Sequence, residues 1–373
     1  MNRREVLLSL TTGASMIVSR RVFAQAATPS PFTGAGGIGA DGAFPDDHPL
    51  QESWTAWKRI CMTQDGRIID ALQNAASHSE SQGYGLTLAS FFGDWDAFDQ
   101  ILGWTEANLA LRSDGLLAWR WRSDSVPRVD DRNNASDGDL FYAWALGRRG
   151  QAEGRDDLLR RCRQICQGLA QSCIVTHPDG SGRSLFLPAS KGFAPDDSFV
   201  FNPSYLMPRA MHELSEISGV ADLSKAATDG GALMEEMAAT GLVPDWVLVG
   251  PKGWSRPEER FSWNCGYEAM RVPLFAAWSG EPVAHRTERF VRASKAHFEP
   301  GAPVTVFSRS GEPLERGTDA GYAAIPALAD CASDARVGSD IPPFSPEQPY
   351  YPATLHLMSL VAQAEVYPTC IPI

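Results

Sequence analysis

The chain has 373 residues, with 33 Lys and Arg against 45 Asp and Glu and a formal net charge of −12. Hydrophobic residues make up 43% and charged residues 21%, a composition that excludes a disordered chain, a collagen-like repeat and a disulfide-dense miniprotein. The negative balance argues against nucleic acid or an anionic membrane surface as the main partner.

In chain order, residues 1–26 read as an export signal. Arg3-Arg4 give a basic start, Val6 to Val18 a mostly apolar run, and Ala24-Gln25-Ala26 a small-x-small cleavage site. The run is shorter than the ~20 apolar residues of a membrane span, and no later stretch is long and apolar enough to cross a bilayer. The paired arginines fit twin-arginine export, and an ordinary secretory signal fits as well; either places the protein in the periplasm or outside the cell. Cleavage removes four Arg and one Glu, a change of −3 that leaves a mature charge of about −15. Residues 27–48 form a Pro/Gly/Ala-rich lead-in, expected to be flexible. Gly34 to Gly39 match GxGxxG, but no strand precedes and no amphipathic helix follows, so the run reads as linker.

Residues 49–373 read as one domain. Eleven helical patterns recur: 50–62, 83–92, 95–111, 137–146, 156–173, 203–217, 222–239, 267–278, 282–297, 320–329 and 351–364. Short β pieces are expected around 116–121 and 243–249. No fixed-period repeat and no sustained strand alternation appear. This predicts an all-α toroid or large bundle rather than a parallel sheet. Trp54, Trp57, Trp95, Trp104, Trp144 and Trp278 fall on helical spacing and read as core. Of seven cysteines, Cys162 and Cys166 share a helix face without further ligands nearby, which favours core over metal. One or two disulfides suit an oxidising compartment.

Three segments carry carboxylates. Glu80 lies in Ser77-His78-Ser79-Glu80-Ser81-Gln82-Gly83-Tyr84-Gly85, where Ser77 and Glu80 also fit a capping box. Asp137 lies in Asn133-Asn134-Ala135-Ser136-Asp137-Gly138-Asp139, which fails calcium-loop spacing and fits a helix start capped by Ser136 or Asp137. Glu268 and Arg271 in Tyr267-Glu268-Ala269-Met270-Arg271-Val272-Pro273-Leu274 are three apart, which fits a surface ion pair.

Together, and in this order, the three blocks resemble glycoside hydrolase family 8, above all the exported endoglucanases that accompany bacterial cellulose synthesis. The likeness extends to Leu117-Ala118-Trp119-Arg120-Trp121, Asn202-Pro203-Ser204-Tyr205 and Pro244-Asp245-Trp246. It implies an (α/α)6 barrel with an open cleft and an inverting endo-β-1,4-glucanase that needs no metal or cofactor. Its partner would be a β-1,4-glucan, with a functional link to cellulose synthase machinery. Glu80 would be the general acid, and Asp137 would bind and distort the sugar. The base is an Asp in many members; here Glu268 occupies that position, with Tyr267 and Arg271 retained around it. One extra methylene moves the carboxylate by roughly one bond length, about 1.5 Å. Retained but slower hydrolysis is therefore expected, with Asp139 and Asp245 as reserve bases. Glucans offer flat apolar faces to aromatic rings, which nominates Trp119, Tyr205, Trp246 and Tyr267 for substrate binding, beside Arg271. His78 reads as structural. Xylan, lichenan or chitosan as substrate, or a weakly active glycan-binding role, remain alternatives.

Overall fold

Along the chain, helices buried on nearly every side alternate with helices that are apolar along one stripe. The computed structural model describes residues 42–282, 284–334 and 337–371; the expected signal, the Gly34–Gly39 run and the lead-in through residue 41 lie outside them. Among the described residues the helices are α1 (Leu50–Cys61), α2 (Ser79–Phe91), α3 (Trp95–Asn108), α4 (Ser136–Glu153), α5 (Asp156–Cys173), α6 (Pro208–Ser218), α7 (Ala221–Ala238), α8 (Arg271–Trp278), α9 (His285–Ala296), α10 (Ala320–Asp334) and α11 (Tyr350–Val366).

The stripe on α5 is Leu158, Cys162, Ile165, Cys166, Leu169 and Cys173, the 3/4 spacing of a helix packed on one side. By contrast α2, α4, α8 and α11 are buried along almost their whole length. Such helices need partners all round, and they find them in a closed ring. α2 packs on α4, α4 on α6, α6 on α8, α8 on α11 and α11 on α2, with α10 set against α8 and α11. Outside, α1 backs α11, α3 backs α2, α5 backs α4 and α6, and α7 backs α6. This is the two-layered ring of an (α/α)6 barrel. Phe91, Trp144 and Trp278 tie α2, α4 and α8 together, with ring centroids 5.3–5.5 Å apart. Trp54, Trp57, Trp144 and Trp278 are fully buried and Trp104 nearly so, while Trp95 is half-buried.

Several expectations are corrected. The lead-in ends docked: Ala43 and Phe44 are buried, and Phe44 donates its N–H to the Phe91 carbonyl at 2.7 Å. The helix expected from 203 is split into a 3₁₀ turn, Pro203–Tyr205, and α6. Strands Arg120–Trp121 and Val247–Gly250 fall where β pieces were expected. Ser77–His78, Phe199–Phe201 and Val304–Phe307 are further strands, too short to leave an alternation in the sequence. One disulfide joins Cys331 on α10 to Cys370, and the other five thiols are buried. No described helix is long and apolar enough to cross a membrane.

Candidate active site

The N-terminal ends of α2, α4, α8 and α11 meet at one end of the barrel, each delivering polar side chains. Two glycines set the spacing. A Cβ on Gly138 would sit 2.4 Å from Ser79 Oγ and 2.5 Å from the Glu80 nitrogen, and one on Gly83 would sit 2.7 Å from the Gly138 carbonyl. Only glycines let the starts of α2 and α4 approach this closely, and the approach puts Glu80 beside Asp137. The expected caps are corrected. α2 is capped at His78, whose N–H and C=O both bond Ser81 Oγ, at 3.0 and 2.9 Å. α4 is preceded by Ala135, and Ser136 Oγ instead donates to the Leu187 carbonyl at 2.6 Å. Freed from capping, Glu80 projects into the site.

Arg271, the first residue of α8, is the hub. It is buried, so the expected surface pair with Glu268 is corrected to an interior network. Its Nη1 donates to Glu80 Oε2 at 2.8 Å, Tyr84 Oη at 2.9 Å and Asp137 Oδ2 at 3.4 Å. Its Nη2 donates to Ser204 Oγ at 2.7 Å and to Glu268 Oε2. Asn202 Nδ2 and Ser204 Oγ add further bonds to Glu268 Oε2 at 3.2 and 3.3 Å. A planar fork of five donors suits this task, and a point charge does not. Three carboxyls around one cation leave surplus negative charge, so simultaneous ionisation is costly. Burial first, with the Glu268 charge as a lesser cause, raises the Glu80 pKa against the pull of Arg271. Burial first and then the Glu80 charge raise that of Asp137. The converging helix ends favour carboxylates, yet desolvation outweighs them. Side-chain exposure separates the three: 22% for Glu80, 34% for Glu268 and 2% for Asp137. Glu80 and Glu268 are partly open to solvent, while Asp137 is almost closed to it.

Tyr350, at the start of α11, donates to Glu80 Oε1 at 3.3 Å. This bond favours the ionised carboxylate. Tyr350→Phe is therefore expected to raise the Glu80 pKa and move the basic limb of the kcat/KM profile to higher pH; a pH–rate series checks this.

The reserve bases have other work. Asp245 is buried, and its Oδ1 accepts the backbone N–H groups of Gly266, Glu268 and Ala269 at 2.9, 3.2 and 2.8 Å. Its Oδ2 accepts from Ser262 Oγ at 2.7 Å. These bonds shape the turn that carries Glu268, and explain why α8 starts at Arg271 rather than at 267. Burial still raises the Asp245 pKa. Asp139 is also buried and accepts from the Leu117 N–H at 2.8 Å and Asn134 Nδ2 at 3.0 Å; burial pushes its pKa up to about 7. Asp245→Ala should lower kcat about 100-fold through misplacement of Glu268, with little change in KM. Asp245→Asn, whose amide oxygen still accepts the three bonds, should recover most of that. Steady-state kinetics on both variants tests the positioning role.

Each nominated aromatic lies next to a residue in or beside the carboxylate network. Trp119 accepts the Ser79 N–H through its carbonyl at 2.9 Å and lies with its ring 6.2 Å from that of His78; His78 is a buried helix cap. Tyr205 lies under the Arg271 guanidinium at 5.7 Å, with Trp246 at 6.1 Å from Tyr205. Tyr267 is half-exposed beside Glu268, and its carbonyl accepts from Tyr351 Oη. Tyr84, Asn202, Ser204, Tyr350 and Tyr351 complete the site without having been singled out. Tyr84 was findable, one helical turn after Glu80, and Asn202 and Ser204 stood inside a matching block. Tyr350 and Tyr351 left no local signal.

A family model for glycosyl hydrolases family 8 matches residues 33–365. An endoglucanase of Cellulomonas uda is 33% identical over 231 residues, 61% of this chain and 63% of that protein, so the match spans less than two thirds of that relative's length. A probable endoglucanase of Novacetimonas hansenii is 29% identical over 344 residues, 89% of this chain and 96% of its own. The solved endo-β-1,4-glucanase CMCax of Acetobacter xylinum aligns at a TM-score of 0.75 and 26% identity, over 88% of this chain and 99% of that chain. With the helical ring, the carboxylate hub and a family match across most of its length, the chain belongs to glycoside hydrolase family 8.

Proposed function

We propose that the protein is an endo-β-1,4-glucanase that cleaves cellulose-type glucan with inversion. The observation that carries this reading is the Arg271 fork, which holds Glu80 on one nitrogen and Glu268 on the other, both partly open to solvent. Glu80, whose pKa burial raises against the pull of Arg271, delivers its proton to the glycosidic oxygen as that bond breaks. Glu268 takes a proton from a water that attacks the anomeric carbon from the opposite face. Asp137, its pKa pushed up to about 8 by burial and the Glu80 charge, accepts from Arg271 Nη1 and helps fix the guanidinium. Trp119, Tyr205, Trp246 and Tyr267 supply stacking surfaces for consecutive glucose rings.

The relatives' names support glucan as the substrate. Export to the periplasm or medium, and action on cellulose as it is made, belong to the same proposal. They rest on the pattern of the first 26 residues, on the Cys331–Cys370 disulfide, which suits an oxidising compartment, and on the likeness to cellulose-synthesis endoglucanases. Viscosity loss and reducing-end release on carboxymethylcellulose, lichenan, xylan and chitosan test the substrate. Rapid viscosity loss on the first is expected; release from xylan or chitosan alone overturns it. Proton NMR of the first product should show the α-anomer, and an initial β-anomer overturns inversion.

A further inference from the structure

A second concavity, of about 430 Å³, lies away from the carboxylate hub. It is walled by the chain just after α7 (Thr240), by α9 and its end (Arg289, Arg292, His297), and by the turn between strands Val304–Phe307 and Pro313–Arg316 (Arg309, Glu312). In a chain of net charge −12, three guanidiniums here share one lining carboxylate, Glu312. Arg289 and Arg309 each give an N–H to a carbonyl at the C-terminal end of α7: Arg289 Nη2 to Ala239, just past the helix, at 3.0 Å, and Arg309 Nη2 to Met237 at 3.2 Å. Arg309 Nη2 also bonds Thr240 Oγ1 at 2.9 Å. Capping therefore accounts for one nitrogen of each. Arg309 Nη1 is buried with no hydrogen-bond partner among the described residues. Arg309 is also held rigid, its guanidinium 5.1 and 4.9 Å from the ring centres of Trp254 and Trp263. Burial, and the Arg289 charge beside it, act against the Arg309 cation. Three guanidiniums lining one concavity, against a single lining carboxylate, are what a tetrahedral oxyanion neutralises, through charge-assisted and bidentate bonds.

We propose that this pocket binds a phosphate or sulfate group between Arg289, Arg292 and Arg309. The group is a free ion or an ester on a sugar; the recognition chemistry is the same. Isothermal titration of the full chain with inorganic phosphate, and separately with glucose 6-phosphate, at constant ionic strength in KCl, tests it. Saturable binding is expected. Arg292→Gln, at an exposed position, should weaken it about tenfold, the loss of one charge-assisted bond. Glu312→Gln should tighten it roughly threefold by removing one opposing charge several ångströms away in water-like surroundings. Hydrolysis of carboxymethylcellulose should be unchanged in both variants. Tighter binding of glucose 6-phosphate identifies the ester as ligand, and equal affinity identifies the free ion. Absence of saturable heat with either probe, or wild-type affinity in Arg292→Gln and Arg289→Gln, overturns the proposal.

Discussion

Arg271→Met is expected to abolish hydrolysis of carboxymethylcellulose and to lower stability by about 3–5 kcal/mol, the cost of stranding buried charge. The side chain is of similar length and apolar, so packing is largely kept. What disappears is the cation that pairs with Glu80, Asp137 and Glu268 alike. Thermal unfolding should show the stability loss shrinking as pH falls, because protonation of the freed carboxyls removes the repulsion. Arg271→Lys separates charge from geometry. One ammonium on a flexible stem cannot hold acid and base on separate nitrogens. It should restore much of the stability yet leave kcat about 100-fold down. Full activity in the lysine variant would show that charge alone is needed.

Glu268→Gln is expected to reduce kcat by about a thousandfold, within the range of a lost general base, with modest change in melting temperature because the side chain is a third exposed. Near-normal turnover would remove Glu268 from the mechanism. Glu268→Asp is the sharper test. Shortening withdraws the carboxylate from Arg271 Nη2, Asn202 Nδ2 and Ser204 Oγ, all of which converge on Oε2. A loss of about 100-fold is expected, since the surrounding donors are placed for the longer side chain. A gain would mean that the glutamate is a handicap, as its extra methylene suggests from sequence alone.

Legibility in the sequence followed the physics of each element. α5 matched its expected bounds, because one apolar stripe at 3/4 spacing is a local signal. α2 begins four residues before its expected start, because Ser79, Ser81 and Gln82 are polar yet buried in the site. α8 begins four residues after, because Asp245, more than twenty residues upstream, takes the N–H bonds of the preceding turn. The nominated acids and Arg271 do meet, but their common hub was invisible: a three-residue spacing reads as a surface pair until the barrel closes around it. Tyr350 reaches Glu80 across 270 positions, a contact that only tertiary closure creates.

The mutual keying of Gly83 and Gly138 has a consequence for how the site can fail. Glu80 and Asp137 ride on two helix ends locked together at van der Waals limits, so they move as one plate. Glu268 rides on a separate plate, a turn pinned by Asp245 and bonded at Cys265 to the strand carrying Phe307. Arg271 is the rivet between them. On the proposed mechanism, a disturbance of the second plate reaches the first only through Arg271, so it should alter the Glu80–Glu268 spacing more than the Gly83–Gly138 contact.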